Sequence, residues 1–466
     1  MPSHSKPRFS PSLAFILFCV FLVILWVAGG ASRADAAGQI VVRAAAAAIL
    51  IIAVLFGPSF SHISPALRSA RAIGCILGAA IILALLQLVP LPPEIWQGLP
   101  GRSLFKQAAI FSGQPQPWRP LSIVPGATVN AAASLIVPAA TLILVAMMSN
   151  RERSWLPGLM LSLVVASTLI GLMQFSGATL RNPLVNNIAG QVSGMFANRN
   201  HFAILIACGC LLAPVWAFLD GRRPGWRGPA ALGFILLFVL TILANGSRAG
   251  LLVGVIGLGL GMLMVQQAIR KTLSRYPSWV FPALLASLVG IVAIVVLLSI
   301  AADRAVSFQR VFGSDAGQDM RGRGLSTVLT MIWTYFPAGS GLGGFDPIFR
   351  IHEPFNLLKP TYFNRAHNDW LEIILDAGVP GLLLLLCSTT WWAVMSIRAW
   401  GAGWSAHQAL PKLGSAIILL IMIASAFDYP ARTPFVMAML VIAGIWLAQA
   451  RIVRMDPALP KTSQHL

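Results

Sequence analysis

The sequence predicts an all-α integral membrane protein of about 12 transmembrane helices, and three observations lead there. Hydrophobic residues make up 57% of the 466 and charged residues only 10%, with a mean hydropathy of +0.79, which is the composition of a polytopic membrane protein rather than a soluble domain. The apolar residues also gather in long runs. A helix needs about 20 such residues to cross a hydrocarbon core of about 30 Å, and runs of this kind start at Ser12, Ile40, Ala72, Val129, Trp155, His201, Ala230, Ala249, Trp279, Val379, Leu413 and Pro434. Finally, about 17 of the 33 Lys and Arg residues lie in alternate short connections, among them Arg151, Arg153, Arg222, Arg223, Arg270 and Lys271. The positive-inside rule assigns those connections, and both termini, to the cytoplasm. The formal net charge of +19 then sets orientation and attracts anionic lipid, and it is not a nucleic-acid footprint.

Spans one to three read as scaffold. The first, preceded by Lys6 and Arg8, has the look of a signal peptide and is read as an uncleaved span. The cysteines, Cys19, Cys75, Cys208, Cys210 and Cys387, all sit in apolar runs, so no disulfide framework is expected. From Pro90 to about residue 128 the chain forms an exported loop rich in Pro, Gly and Trp, with short interfacial helices at most. A second exported loop follows Gln174 and closes on Asn198, Arg199 and Asn200 directly before span six. These three either cap that helix or face a polar cavity and bind a sugar or phosphate. Spans seven and eight are joined by a tight turn, in which Asn245-Gly246 supplies the bend and Ser247 can cap span eight. Arg248 then falls in the first helical turn, where the macrodipole disfavours a cation. That placement suggests an anionic partner, with snorkelling to lipid headgroups as the alternative.

The longest exported segment runs from about residue 301 to 378, too long for an idle connection. It carries Asp315, Asp319, Arg321 and Arg323, an amphipathic stretch from Leu325 to Phe336, and a Gly-rich run from Pro337 to Phe345. The run lacks the Lys-Ser/Thr of a phosphate-binding P-loop and reads as a tight turn. The segment ends in Arg365-Ala366-His367-Asn368-Asp369-Trp370-Leu371-Glu372, continuing through Asp376-Ala377-Gly378 into span ten. Protonatable residues this dense beside a membrane span mark a site. Asp369 and Glu372 fit a capping box with Asp as the cap, and His367 lies just ahead of the helix, where an imidazole can accept a proton from a hydroxyl. Among the other histidines only His201 and His352 are expected on the exported side. Near the end, Asp428 and Arg432 form an exported turn and pair either with each other or with the site. No set of exported His, Cys and carboxylates has metal-ligand spacing.

The segments Gly194-Met195-Phe196-Ala197-Asn198-Arg199-Asn200-His201, Ser247-Arg248-Ala249-Gly250, Pro337-Ala338-Gly339-Ser340-Gly341-Leu342-Gly343-Gly344-Phe345 and, above all, the stretch from Ala366 to Leu386 resemble the O-antigen ligase and polymerase superfamily of bacterial envelope glycan assembly. The resemblance implies a GT-C-like inner-membrane glycosyltransferase, multi-pass, with its active site periplasmic. It would take a glycan from a polyprenyl diphosphate carrier to an acceptor glycan or lipid, among other polysaccharide assembly proteins; the missing metal-ligand spacing adds the expectation that no metal or other cofactor takes part. His367 matches the family's essential histidine, Arg248 its arginine after the short turn, and Arg323, with Arg321 as rival, its loop arginine. Asn198, Arg199, Asn200 and Asn368 would bind substrate, and Asp369, Glu372, Asp376, Asp428 and Arg432 would support the site. The implied organisation is a scaffold over residues 1–190, a ligase-like core over 191–400 with a catalytic loop at 301–378, and two spans and a tail over 401–466. The ending Asp428-Tyr429-Pro430-Ala431-Arg432-Thr433-Pro434 tilts the expectation toward polymerase over ligase. A transporter or flippase, or a non-catalytic partner in polysaccharide export, is the competing reading, because about 12 spans is also a common transporter count.

Overall fold

The computed structural model describes residues 10–57, 70–188, 190–219, 224–274, 320–358, 363–401 and 406–451, with scattered positions between 277 and 297. The span expected from Trp279 falls largely outside these residues, as do Asp315 and Asp319. In order, the helices are α1 (Leu13–Ala28), α2 (Ala37–Phe56), α3 (Arg71–Leu86), α4 (Pro93–Trp96), α5 (Ser103–Phe111), α6 (Pro125–Ser134), α7 (Ile136–Met147), α8 (Asn150–Arg153), α9 (Leu156–Phe175), α10 (Arg199–Phe218), α11 (Arg227–Asn245), α12 (Arg248–Leu273), α13 (Met320–Tyr335), α14 (Phe345–His352), α15 (Asp369–Gly401), α16 (Ala406–Ser425) and α17 (Pro434–Ala448). The strands found among the described residues are β1 (Pro90–Leu91) and β2 (Arg119–Pro120), paired antiparallel with Pro90 opposite Pro120. The protein is therefore all-α. Eight helical segments are long and apolar enough to cross a membrane, and α1, α3 and α17 are shorter apolar helices. Together they cover every predicted span except the ninth.

Helix α10 sits at the centre, with 89% of its apolar window buried, and packs against α9, α11, α12 and α16. Its approach to α12 depends on glycine: a Cβ at Gly257 would stand 2.6 Å from the Ala207 carbonyl oxygen, the close contact that small residues permit between membrane helices. One large apolar cluster runs from Phe18 in α1 to Ala450 past α17. A second, smaller cluster joins Val328, Met331 and Tyr335 of α13 to Phe345, Ile348 and Phe349 of α14, with Phe363 and Ala366 beside them. The long loop thus has a core of its own at one end of the bundle. All five cysteines are free thiols, with Cys208 and Cys210 buried.

Two sequence expectations are corrected here. Helix α15 begins at Asp369, ahead of the span start expected at Val379, so the acidic residues lie on its first turns, where the cap expected at Asp369 already put the helix start. It also breaks at Gly378, whose φ of 55° and ψ of −137° glycine alone tolerates readily. The Gly-rich segment fills the break. The Ser340 and Gly341 amides donate to the Leu375 and Asp376 carbonyls at 2.9 Å, and the Val379 amide donates to the Pro337 carbonyl at 2.9 Å. The Gln87 side chain adds a bond to the Asp376 carbonyl at 3.0 Å. Backbone groups freed by the kink are satisfied in this way, so the glycines serve a structural turn. The second correction concerns the cap. Asn368, not Asp369, caps α15, its Oδ1 accepting from the Leu371 amide at 3.1 Å, because both acids are engaged elsewhere.

Candidate functional site

Three acids on one face of α15, at positions i, i+3 and i+7, converge on a single guanidinium. Arg432, in the 3-10 turn Pro430–Arg432, lies 3.1 Å from Asp369, 3.2 Å from Glu372 and 3.5 Å from Asp376. Burial opposes the charge on Arg432, but the carboxylates of Glu372, Asp376 and Asp369 outweigh it and hold its pKa above the ordinary arginine value. Glu372 also receives Arg365 at 3.0 Å and the Ala366 amide at 2.9 Å. Asp369 accepts from Ser425 and from the Ala431 amide. Arg432 and Asp428 do not pair with each other. Arg432 instead ties the turn before α17 to the first two turns of α15.

That tie fixes the residue between its anchors. His367 has φ of +50°, a conformation uncommon outside glycine, which persists only where the surroundings over-determine it. Here the preceding amide is held by Glu372, and Asn368 both caps α15 and donates to the Ala426 carbonyl. The imidazole packs against the rings of Phe363 and Tyr429 at centroid distances of 5.3 and 4.9 Å. Its Nδ1 lies 3.0 Å from Asp428 Oδ1. A carboxylate can only accept, so Nδ1 carries the proton and Nε2 is left as the basic nitrogen.

Asp428 is 1% exposed and is itself held tightly. Its Oδ2 accepts from Asn198 at 3.1 Å and Asn200 at 2.7 Å, and its Oδ1 accepts from the Tyr429 amide at 3.1 Å. Asn198 also caps α10 by accepting from the Asn200 amide. Both asparagines thus act on the carboxylate behind His367, while Arg199 heads α10 with its carbonyl accepting from Asn245. His201 is buried, bonded to Thr433 at 2.9 Å and 4.0 Å from Asp428. His352 bonds Tyr335 at 3.0 Å. Tyr429 is pushed up to about 12 by burial and by Asp428, so it stays a neutral phenol at physiological pH.

In front of His367 opens a cavity of about 470 Å³ lined by Arg248, Ala249, Leu252, Gly322, Leu325, Ala366, His367, Asn368, Ala426 and Phe427. Arg248 reaches it from the start of α12, after Gly246 (φ 77°) and with Ser247 accepting from the Gly250 amide at 2.9 Å, as the turn chemistry predicts. Among the described residues Arg248 makes no ion pair. Arg323 is placed differently: its guanidinium donates to the Asn356 carbonyl at 2.8 Å, while the neighbouring Gly322 and Leu325 line the cavity. The Arg321 side chain lies outside the described residues. No role in the site was expected of Arg365, Tyr429 or the aromatic rim residue Phe427. The i, i+3, i+7 spacing of the acids was the available sign that α15 begins early and needs cationic partners.

An all-α membrane protein thus brings a histidine paired to a buried carboxylate and an arginine to the lining of one cavity. Residues 232–386, from within α11 to within α15, match the family model described as O-Antigen ligase, and this match supports assignment to the O-antigen ligase/polymerase superfamily. The matched stretch includes Arg248, His367 and the three acids of α15, and it supports a role in polysaccharide assembly of that type by a multi-pass membrane protein. No curated protein matches the chain.

Proposed function

We propose that the cavity transfers a glycan from a polyprenyl diphosphate donor to an acceptor hydroxyl, without a metal and with inversion at the anomeric carbon, on the periplasmic face of the bacterial inner membrane. The observation that carries the reading is that His367, held by Asp428 at 3.0 Å, lines one cavity with Arg248. The acceptor oxygen attacks the anomeric carbon as the bond from that carbon to the diphosphate oxygen breaks. The electron pair leaves with the diphosphate, and the acceptor proton passes to His367 Nε2. Asp428 holds the ring in the tautomer that can accept it and offsets the imidazolium that forms. Diphosphate is already a good leaving group, so the chemistry needs neutralised charge more than an acid, and a guanidinium supplies two donors matched to phosphate oxygens. Arg248 fills that role. Arg323 and Arg321 belong to the same role if α13 turns them toward the cavity once substrate is bound.

Repeated transfer to a growing glycan, rather than a single ligation, is the favoured form. The test is full-length protein in lipid vesicles, given an oligosaccharide diphosphate donor with chelator present. A ladder of products supports polymerisation and a single product supports ligation. Donor carried across the bilayer with no product would replace the reading with transport.

A further inference from the structure

A second polar cavity lies at the same end of the bundle, away from His367. It is bounded by α4, α5 and β2, encloses about 160 Å³, and is lined by Trp96, Arg102, Phe105, Arg119, Ser122 and their neighbours. At about 30 Å³ per liquid water this is room for one phosphate-sized group. Two guanidinium groups line it and no carboxylate does. Arg102 is anchored by the carbonyls of Pro100, Leu121 and Gly339, and burial pulls its pKa down to about 10. These are dipoles and not counter-charges. Arg119 lies over the Trp96 ring at 5.2 Å, and its Nε is buried with no acceptor among the described residues. An unsatisfied charged donor is costly unless an anion completes it.

The surroundings say where that anion comes from. Leu104, Ile110 and Phe111 of α5, together with Ile95 and Trp118, are exposed at 49 to 87%, and Lys106 lies on the same short helix. A loop that presents large apolar side chains beside cationic ones, joining two apolar helices of the bundle, has the composition suited to a headgroup layer. We propose that this cavity holds the phosphate of an anionic phospholipid headgroup, with Arg119 as its principal ligand. The site does not depend on the transfer reading, since no residue of the His367 cavity lines it. Arg102 joins it to Gly339, in the Gly-rich turn packed on the α15 kink.

The test is native mass spectrometry of the full chain released from detergent with added phosphatidylglycerol, for wild type, Arg119→Gln and Arg119→Lys. Intrinsic-fluorescence melting confirms that each variant is folded. The expected result is one phosphatidylglycerol retained by wild type and released about tenfold more readily by Arg119→Gln, the loss of one charge-assisted phosphate contact. Arg119→Lys should fall between them. Equal retention by wild type and Arg119→Gln overturns the proposal. Displacement of the lipid by millimolar inorganic phosphate would make this a free-anion site, and displacement by a polyprenyl diphosphate would make it a carrier site. Either result overturns the assignment to phospholipid.

Discussion

Replacing Asp428 by Asn should disable transfer while leaving the histidine in place. Asp428 holds the Nδ1 proton of His367 at 3.0 Å, and its other oxygen is fixed by Asn198 and Asn200 at 3.1 and 2.7 Å. An amide oriented by the same neighbours either turns its own N–H toward Nδ1, which moves the ring proton to Nε2, or leaves the asparagine donors facing another donor. The first arrangement removes the base, and the second keeps it only by setting the two asparagine donors against a third, so the first is favoured. A positioned general base contributes about 100- to 10,000-fold, which at about 1.4 kcal/mol per tenfold is about 2.8 to 5.6 kcal/mol of barrier. The initial rate of transfer at saturating donor should fall by that factor in Asp428→Asn. The double variant with His367→Ala should be no slower than His367→Ala alone, because residues acting as one unit are not additive. The variant also leaves a buried donor imperfectly paired, at a cost of about 1–3 kcal/mol, so thermal unfolding must show a folded protein at the assay temperature. A full rate in Asp428→Asn, or multiplicative losses in the double variant, would refute the reasoning.

Three further outcomes are expected. Arg432→Met strands Asp369, Glu372 and Asp376 around an apolar side chain and should destabilise the fold by about 3–5 kcal/mol, the penalty for breaking a buried ion pair, read as a lowered melting temperature in detergent. Gly378→Ala forces a non-glycine residue to φ 55° with its Cβ against the Pro337 carbonyl oxygen; a loss of at least about 1–3 kcal/mol follows, and an unchanged melt would argue against the kink. Arg248→Ala should reduce transfer about 100- to 1,000-fold, as expected for losing one transition-state donor, with Arg248→Lys intermediate because it keeps the charge without the fork.

The bundle was legible because a bilayer demands long apolar runs, and those runs carry their own boundaries in Gly, Pro and polar caps. The turn at Asn245-Gly246-Ser247 was legible for the same local reasons, and the amphipathic stretch Leu325–Phe336 overlaps the helix found at Met320–Tyr335. The cluster around His367 stood out because protonatable side chains are rare beside a membrane span. What escaped was set by distant pairing. Asp369 and Glu372 carry a capping signature, yet Arg432, some sixty residues on, claims both, and Asn368 takes the cap. Asp428 and Arg432 are four apart and suited to each other, but one meets α10 and His367 while the other meets α15. Asn198 and Asn200 were read as either cap or ligand. Asn198 is a cap, and both donate to Asp428, a contact no local pattern could announce.

The central claim is that His367 is the base of a transfer reaction in the cavity it shares with Arg248. Its most direct test is a single turnover of radiolabelled polyprenyl diphosphate oligosaccharide, preloaded on wild type and on His367→Ala, with acceptor then added. The account predicts that both proteins bind donor equally and that wild type alone passes the label to acceptor at an appreciable rate, the variant being slower by about 100-fold or more. Transfer at the same rate by both proteins would contradict it.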